Sequence, residues 1–278
     1  MAVFSNTVPS SDIEVALGGS LTLATADVIN IVEGNNNYDA NLDVLGTTQF
    51  ERFSTGPGYS GNVGDYPDGL LVVAKKIYIE SASPLIAIKG DNLPGTNTEL
   101  IVWKNRAGGQ GSVSEYKDLT RLDLLASGTV NIKASTNVDN AYVKAGGLTA
   151  LFEKGDDQIA LLDVGVASVA GGTARVEVGR DVNVLTIKSR GEVMTHEDCS
   201  PTTINLDGGN LKHKGGAIGG INADGGLADF SMVTADVVIS SWVITGDLII
   251  IKPPTGLSVT MPTSTQQGSF RIDYRDAA

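Results

Sequence analysis

Two histidines and one cysteine are the residues of this sequence best suited to bind a metal ion. They occur in His196-Glu-Asp-Cys199 and at His213, so a zinc site could draw on these three side chains and one carboxylate. The spacing matches neither a zinc finger nor a catalytic zinc pattern. We therefore interpret residues 196–198 as a polar corner and Cys199 as a small apolar residue, and we predict no metal site.

Carboxylates offer a second kind of chemistry. Asp156 and Asp157 are adjacent, and paired acids hydrolyse glycosides when they face each other across a cleft. Neighbours on one strand point to opposite faces, so a solvated turn is the better interpretation. Four further aspartates in turn-rich segments could offer oxygen ligands to Ca²⁺, but they show no recognised ligand order: Asp65, Asp68, Asp207 and Asp224.

Nucleotide binding and nucleophilic catalysis also lack their usual patterns. Gly215-Gly-Ala-Ile-Gly-Gly220 is glycine-rich, yet it precedes no helical pattern and lacks the Lys-Ser/Thr pair of a phosphate-binding loop. A Ser-His-Asp arrangement would need His196 or His213, and neither lies near a nucleophile elbow. The sequence therefore predicts no catalytic, cofactor-binding or metal residues, and we expect a protein that is not an enzyme.

Charge and composition limit the partners and the compartment. The net charge of −12 disfavours nucleic acid, and residues 1–51 contain seven acids and no Lys or Arg. That acidic start is unlike a secretory signal or a transit peptide, and no apolar run reaches the length of a membrane span. A lone Cys199 fits a reducing compartment. We expect synthesis in the cytoplasm, with neither membrane nor DNA as partner.

Short strands dominate the sequence, because runs rich in Val, Ile, Leu and Thr alternate with Gly, Asn, Asp and Pro. Predicted strands in the first third cover residues 13–16, 21–24, 28–32, 42–45 and 50–53. Residues 54–69 are predicted to form a loop, because their glycines and prolines oppose regular structure. Tyr116, Leu119, Leu122 and Leu125 recur at three-residue spacing, which fits a short helix or the start of the next strand.

Glycine pairs punctuate the second half, where strands such as Val182-Asn-Val-Leu-Thr-Ile187 and Thr203-Ile-Asn-Leu206 recur. Short strands joined by tight corners favour a solenoid, in which each coil stacks on the next. We predict an all-β chain with a β-sandwich-like region over residues 1–111 and a short-coil parallel β-helix over residues 112–278. The alternative is a jelly roll or sandwich throughout. The flexible segment 106–112 supplies the predicted boundary.

Two segments carry a resemblance to known proteins. Residues 182–193 and Thr202-Thr-Ile-Asn-Leu-Asp-Gly-Gly-Asn-Leu211 resemble coils of bacteriophage virion proteins that repeat a strand, a Gly-Gly pair and a strand. Thr55-Gly-Pro-Gly-Tyr-Ser-Gly-Asn-Val-Gly64 is similar to the loop before those coils. The resemblance extends over residues 20–260 and rests on rhythm and small residues.

The resemblance implies a capsid decoration or cement protein. Such proteins are often trimers that bind the major capsid protein on the outside of the virion, after synthesis in the cytoplasm of the host bacterium. Other β-helical virion proteins are tail proteins that bind receptors or degrade polysaccharide, and this is the alternative. A chain with 5% aromatic residues departs from a typical tailspike. A secreted bacterial adhesin is a third hypothesis, which the absence of a signal sequence disfavours.

Both ends of the chain contain apolar residues that could bind a partner. The uncharged arm Met1-Ala-Val-Phe-Ser-Asn-Thr-Val-Pro9 offers Val3, Phe4 and Val8 as a capsid-facing strap, although the same residues could fray or pack on the chain itself. In the C-terminal segment, Phe270, Ile272 and Tyr274 alternate as a strand that could be added to a partner. Alternatively, this segment caps the last coil.

Overall fold

The computed structural model describes residues 3–6, 28–34, 49–64, 69–90, 96–105, 109–144, 147–165, 172–262, 265–266 and 271–276. Within these ranges the regular structure consists of β-strands, which confirms the all-β prediction. The helix considered for residues 116–125 is not formed, because these residues enter a strand instead. No helix in the described ranges has the length and apolar character needed to cross a membrane. The predicted strands 13–16, 21–24 and 42–45 lie outside the described residues.

The chain divides into two compact units, Met1–Asp139 and Asn140–Ala278. We call them the N-terminal and the C-terminal unit. The division that the sequence suggested between residues 111 and 112 stays a prediction.

The strands of the N-terminal unit form two sheets. The strands are β1 (Val3–Asn6), β2 (Val28–Gly34), β3 (Phe50–Tyr59), β4 (Leu70–Leu71), β5 (Ala74–Ile79), β6 (Leu85–Lys89), β7 (Asn97–Thr98), β8 (Leu100–Trp103), β9 (Gln110–Ser114), β10 (Asp118–Leu124) and β11 (Gly128–Ile132). The first sheet has the order β1-β2-β3-β5-β8-β10, with β7 also paired to β10, and the second has the order β4-β6-β9-β11. The described pairs are parallel.

The C-terminal unit repeats this plan. Its strands are β12 (Val138–Val143), β13 (Leu148–Phe152), β14 (Ile159–Val164), β15 (Ala174–Val178), β16 (Val182–Lys188), β17 (Gly191–Thr195), β18 (Thr203–Asp207), β19 (Asn210–His213), β20 (Ile218–Ala223), β21 (Gly226–Asp229), β22 (Val237–Ile244), β23 (Leu248–Ile251), β24 (Val259–Thr260), β25 (Thr265–Gln266) and β26 (Ile272–Arg275). The first sheet runs β12-β14-β16-β18-β20-β22-β24, with β25 also on β22. The second runs β13-β15-β17-β19-β21-β23-β26.

From β3 onward the chain alternates between the two sheets, with β7 and β8, and β24 and β25, as successive segments of the first sheet. One passage through each sheet makes a coil of a parallel β-solenoid. Each residue pairs with its equivalent one coil later. The sequence separation varies, since Ile204 pairs with Ile221, 17 residues on, and Ile86 with Gly111, 25 residues on. The predicted parallel β-helix is thus present, and the corners absorb the differences in coil length.

The sandwich-like architecture predicted for residues 1–111 is not shown. A sandwich is built from antiparallel strands, whereas β2, β3, β5 and β8 pair in parallel one coil apart. Alternating apolar residues have the same pattern in both architectures, so the sequence could not separate them. The predicted loop at residues 54–69 is wrong for its first part, because β3 continues through Gly56-Pro-Gly58 to Tyr59. Residues 60–64 lie outside the named strands, and residues 65–68 lie outside the described residues.

A six-residue pattern builds the first sheet of both units. Its first, fourth and sixth residues are buried, and its second, third and fifth residues face away from the coil interior. Three of these outward residues, Val102, Asp163 and Gly220, are nevertheless buried. Two successive outward residues break the strand period of two and bend the strand. The pattern begins at Phe50, Ala74, Thr98, Leu119, Val138, Ile159, Val182, Pro201, Ile218 and Ile239.

We expect the coil interior to dominate stability. Leu185 is fully buried and stacks in register between Leu162 and Ile204, so Leu185→Ala should lower the free energy of unfolding by about 2–5 kcal/mol. The control Asn183→Ala changes an exposed residue of the same strand and should stay within about 0.5 kcal/mol of the parent. Chemical denaturation measures both, and equal losses would contradict an interior at Leu185.

Candidate functional site

A cleft of about 360 Å³ opens at the carboxyl ends of four second-sheet strands in the C-terminal unit. Phe152, Val178, Thr195 and His213 end these strands and lie in register with one another. The residue that follows each of them lines the cleft, so one column contributes Glu153, Gly179, His196 and Lys214, which are three side chains and one glycine. The lining residues are Leu151, Phe152, Glu153, Lys154, Gly179, His196, Glu197, Asp198 and Lys214.

Gly179 forms the floor of the cleft. A Cβ at this position would lie 2.8 Å from the backbone nitrogen of Lys154 and 3.1 Å from the carbonyl oxygen of Phe152, so a larger residue does not fit without a shift. Arg180 turns inward, is 2% exposed, and donates from Nε to the Glu153 carbonyl oxygen at 2.9 Å. The position after β15 therefore brings no side chain into the cleft, and the corners that follow β13 and β17 form the walls of the cleft.

An ion pair crosses the floor. Lys154 Nζ donates to the Asp198 carboxylate of a corner 44 residues away, and this hydrogen bond raises the pKa of Lys154. Both side chains are largely exposed, so solvent screens the pair. On the far wall His196 Nε2 lies 3.6 Å from a carboxylate oxygen of Glu177. The cleft thus offers cations and carboxylates side by side.

The chemistry of the cleft is polar. The Phe152 side chain is fully buried, so no Phe, Tyr or Trp face of the lining is exposed for stacking. Glu153, Glu197 and Lys214 complete a mixed set of charges that suits hydrogen bonding and ion pairing with a polar ligand or a protein loop. The sequence indicated the corner 196–198 but not the opposite wall of the cleft. The feature that could have indicated that wall is the position directly after each second-sheet strand, because the lining residues share it.

His213 lies in the core rather than in the cleft. Its Nε2–H donates to the Gly216 carbonyl oxygen at 3.0 Å, so the neutral Nδ1 accepts from the Thr195 hydroxyl at 2.7 Å. Phe230 packs edge-on at a centroid distance of 6.1 Å. Burial lowers the pKa of His213, because the charged imidazolium would lose its hydration.

Cys199 is buried as well. Desolvation raises the pKa of its thiol to about 12, with a smaller contribution from Asp181, so the reactive thiolate is disfavoured. In the ranges that the structure describes, no three of the His, Cys, Asp and Glu side chains converge as a metal site would require. The three residues considered as a possible metal site are therefore separated. His196 lies at a surface corner, whereas Cys199 and His213 lie in the interior.

The other candidate carboxylates and glycines lie at corners. Asp156 and Asp157 are exposed in a bend between β13 and β14, and Asp207 and Asp224 are exposed at the ends of their strands. The segment 215–220 forms a corner and the start of β20, and its Gly216 carbonyl is the acceptor for His213. Asp65 and Asp68 lie outside the described residues.

The predicted C-terminal partner residues belong to the last described coil. Ile272 and Tyr274 on β26 pair with Leu248 and Ile250, which are each 1% exposed, whereas Ile272 is only half-buried and Tyr274 is 51% exposed. Val259 on β24 is likewise half-buried, although it pairs with the fully buried Val237. These residues occupy core register, and no strand in the described ranges pairs with the outer edge of β24 or β26.

At the other end, Val3 and Phe4 lie in β1, in register with Val28 and Ile29. They continue the first sheet. Val8 and Phe270 lie outside the described residues. The role of all six residues in partner binding stays a prediction.

Comparison of the chain with known protein families, with curated proteins and with solved structures finds no match.

We expect His213 to make stability depend on pH. Its pKa is lowered in the folded state, so the unfolded state binds more protons once the pH falls below about 6.5, and stability present above that pH is then lost. His213→Gln cannot titrate and should flatten the dependence of the unfolding free energy between about pH 7 and 5. A slope unchanged by His213→Gln would contradict this role.

Proposed function

We propose that this chain is a structural virion protein that binds the outside of a bacteriophage capsid and stabilises it as a decoration or cement protein, as an oligomer and without catalysis. The observation that carries the proposal is the last described coil, where Val259, Ile272 and Tyr274 stand in core register yet are accessible. Apolar side chains of this kind gain free energy when a partner surface covers them. Adhesion is the function that such an end supports.

A stiff scaffold supports the same proposal. Charged side chains of neighbouring coils pair along the surface, as Lys76 does with Glu51 at 3.2 Å in the N-terminal unit and Lys188 with Asp163 at 2.8 Å in the C-terminal unit. Parallel strands in fixed register hold contact residues in a constant geometry, which limits the entropy lost on binding. Many copies, each held by weak contacts, then attach firmly through multivalency.

The placement of the reactive residues also favours a structural role. The two ring nitrogens of His213 are occupied by Thr195 and Gly216, and the Cys199 thiol is buried and protonated. These groups stabilise the coil interior instead of facing a substrate. Binding of the major capsid protein, assembly as a trimer and location on the capsid exterior are parts of the proposal that derive from the resemblance of the coils.

A tail protein that binds a receptor or degrades polysaccharide is the second candidate, and the cleft is the observation that favours it. Glu153, Glu197 and Asp198 place three carboxylates around one opening, and glycosidases act through a pair of such groups. Glycan-array binding, or sugar release that Glu197→Gln abolishes and Glu177→Gln preserves, would support this candidate. Glu177 is a suitable control because it contacts His196 but is not part of the lining.

The capsid proposal predicts that the protein copurifies with intact particles in many copies. Particles that lack it should burst at a lower temperature and under milder osmotic shock, because the bridges between neighbouring capsid subunits are lost. Quantitative mass spectrometry of purified particles gives the copy number, and release of DNA on heating gives the resistance. A few copies per particle, or equal resistance with and without the protein, would contradict a decoration role.

A further inference from the structure

The outer face of the first sheet in the C-terminal unit is uncharged over four neighbouring strands. Between Val182 and Ile244, each of β16, β18, β20 and β22 contributes the second, third and fifth residues of the six-residue pattern, which face away from the coil interior. These twelve residues are Asn, Thr, Ser, Gly and Val, and all lie within the described range 172–262. We call this surface the neutral face. Its exposed members are Asn183, Thr202, Asn222, Ser240 and Ser241.

Charge is common at the same positions elsewhere in the chain. In the N-terminal unit, the four patterns between Phe50 and Leu124 place seven charged residues at their twelve outward positions, among them Lys76 and Arg121. The second sheet of the C-terminal unit is also charged on its outer face, where Arg175 Nε donates to a Glu192 carboxylate oxygen at 3.2 Å. The fold therefore accepts charge at outward positions, and its exclusion is a particular property of the neutral face.

Hydrogen bonds between neighbouring coils order the side chains of the neutral face. Asn222 Nδ2 donates to Asn205 Oδ1 at 3.0 Å, and Asn205 Nδ2 donates to Thr186 Oγ1 at 3.3 Å. Ser241 Oγ donates to the Gly219 carbonyl oxygen at 3.2 Å. An amide has two N–H groups and one acceptor oxygen, so the exposed Asn222 keeps a donor and an acceptor for a partner. Side chains that are held in place before binding lose less entropy when a partner arrives.

We propose that the neutral face binds the neutral face of a second copy of this chain in a two-fold contact. Near a two-fold axis each side chain meets its own counterpart, so a charged residue would face an identical charge. Amides and hydroxyls both donate and accept hydrogen bonds, so they can pair with their own copies. This self-complementary composition selects a second copy as the occupant. The net charge of −12 makes two copies repel each other, and the neutral face adds nothing to that repulsion.

The size of the surface limits the strength of the contact. Ala160 and Leu161 on β14 extend it by one strand, since Leu161 pairs with Val184, while Asp163 on the same strand is 7% exposed and paired with Lys188 at 2.8 Å. Five strands about 4.8 Å apart, each covering about 20 Å, give a footprint of about 500 Å² per copy and about 1,000 Å² for the pair. This area is at the lower limit of specific interfaces, so we expect a reversible dimer and not a permanent one.

This inference goes beyond the proposed function, because it concerns a surface that the capsid proposal does not use. A two-fold contact gives a dimer, so it is distinct from the proposed trimer and would join neighbouring oligomers side by side on a particle. Dimerisation is a property of the purified chain. Its failure and the failure of capsid binding are therefore observed separately.

The first test is sedimentation of the purified full chain at concentrations up to about 1 mM. We expect a monomer–dimer equilibrium that strengthens as salt is raised from about 50 mM to about 500 mM, because salt screens the repulsion between acidic copies. Thr202→Glu should weaken dimerisation at least about tenfold, since the opposing neutral face offers no cation to the new carboxylate. Thr120→Glu is the matched control, because Thr120 is exposed at the same pattern position on β10 of the N-terminal unit and the charge added is the same. It should dimerise as the parent does.

A spin label locates the contact. A nitroxide attached to the Thr202→Cys variant, mixed with isotope-labelled parent, should broaden the methyl NMR signals of Val184 and Val243, and the same label on Thr120→Cys should not. The buried Cys199 stays unlabelled. Circular dichroism and the unfolding midpoint check that all variants fold.

Three results would overturn the proposal. They are a parent that stays monomeric at about 1 mM, an association that weakens as salt is raised, and broadening confined to signals outside the neutral face. A monomeric parent whose Thr202→Glu variant no longer binds capsids would also overturn it, because the neutral face would then bind a capsid partner instead of a second copy.

Discussion

The stability of this protein depends on one constraint, which is that no coil can bury its own interior. A coil contributes one residue to each interior column, and only the equivalent residues of the adjacent coils can cover it. Leu162, Leu185 and Ile204 illustrate this, since each is fully buried and each is held by register with the next. Interior residues must therefore match their neighbours in register, whereas the outward residues between them are free to vary. The six-residue pattern of the first sheet reflects this requirement, because its buried positions recur in register from coil to coil.

The same constraint explains where polar groups are tolerated. Thr195 and His213 occupy one interior column of the second sheet, and they are accepted there because the hydroxyl and the imidazole hydrogen-bond each other across the coils. One residue further along the chain, the equivalent positions emerge at the corner. Their side chains are then free to carry charge, and the small Gly179 among them creates a depression. Residues that are adjacent in sequence thus lie in different environments, since Thr195 and His213 are in the hydrogen-bonded interior whereas His196 and Lys214 line the polar cleft.

Much of the C-terminal unit could be predicted from sequence. The strands proposed at residues 182–187 and 203–206 correspond to β16 and β18, and Gly208 does turn a corner with a φ of +82°. The N-terminal unit follows the same pattern, but its outward positions are charged, as in Lys75-Lys76, and its coils are longer, so the repeat was not recognised. The cleft was only half predicted. Lys154 and Asp198 meet because of the register of β13, β15 and β17, and nothing in either segment alone indicates it.

The uneven coil length has a consequence for how such a chain can change. Successive coils differ by up to nine residues, from 17 to 26, yet the strand pairing continues from coil to coil. The additional residues of a longer coil lie in a corner, outside the paired strands. Residues 252–258 form such a corner, where Gly256 has a φ of +92° and open space around it. Corners of this kind accept inserted peptides at low cost. The protein is therefore a natural frame for displaying foreign loops, and its lineage can diversify one corner at a time while the interior columns stay as they are.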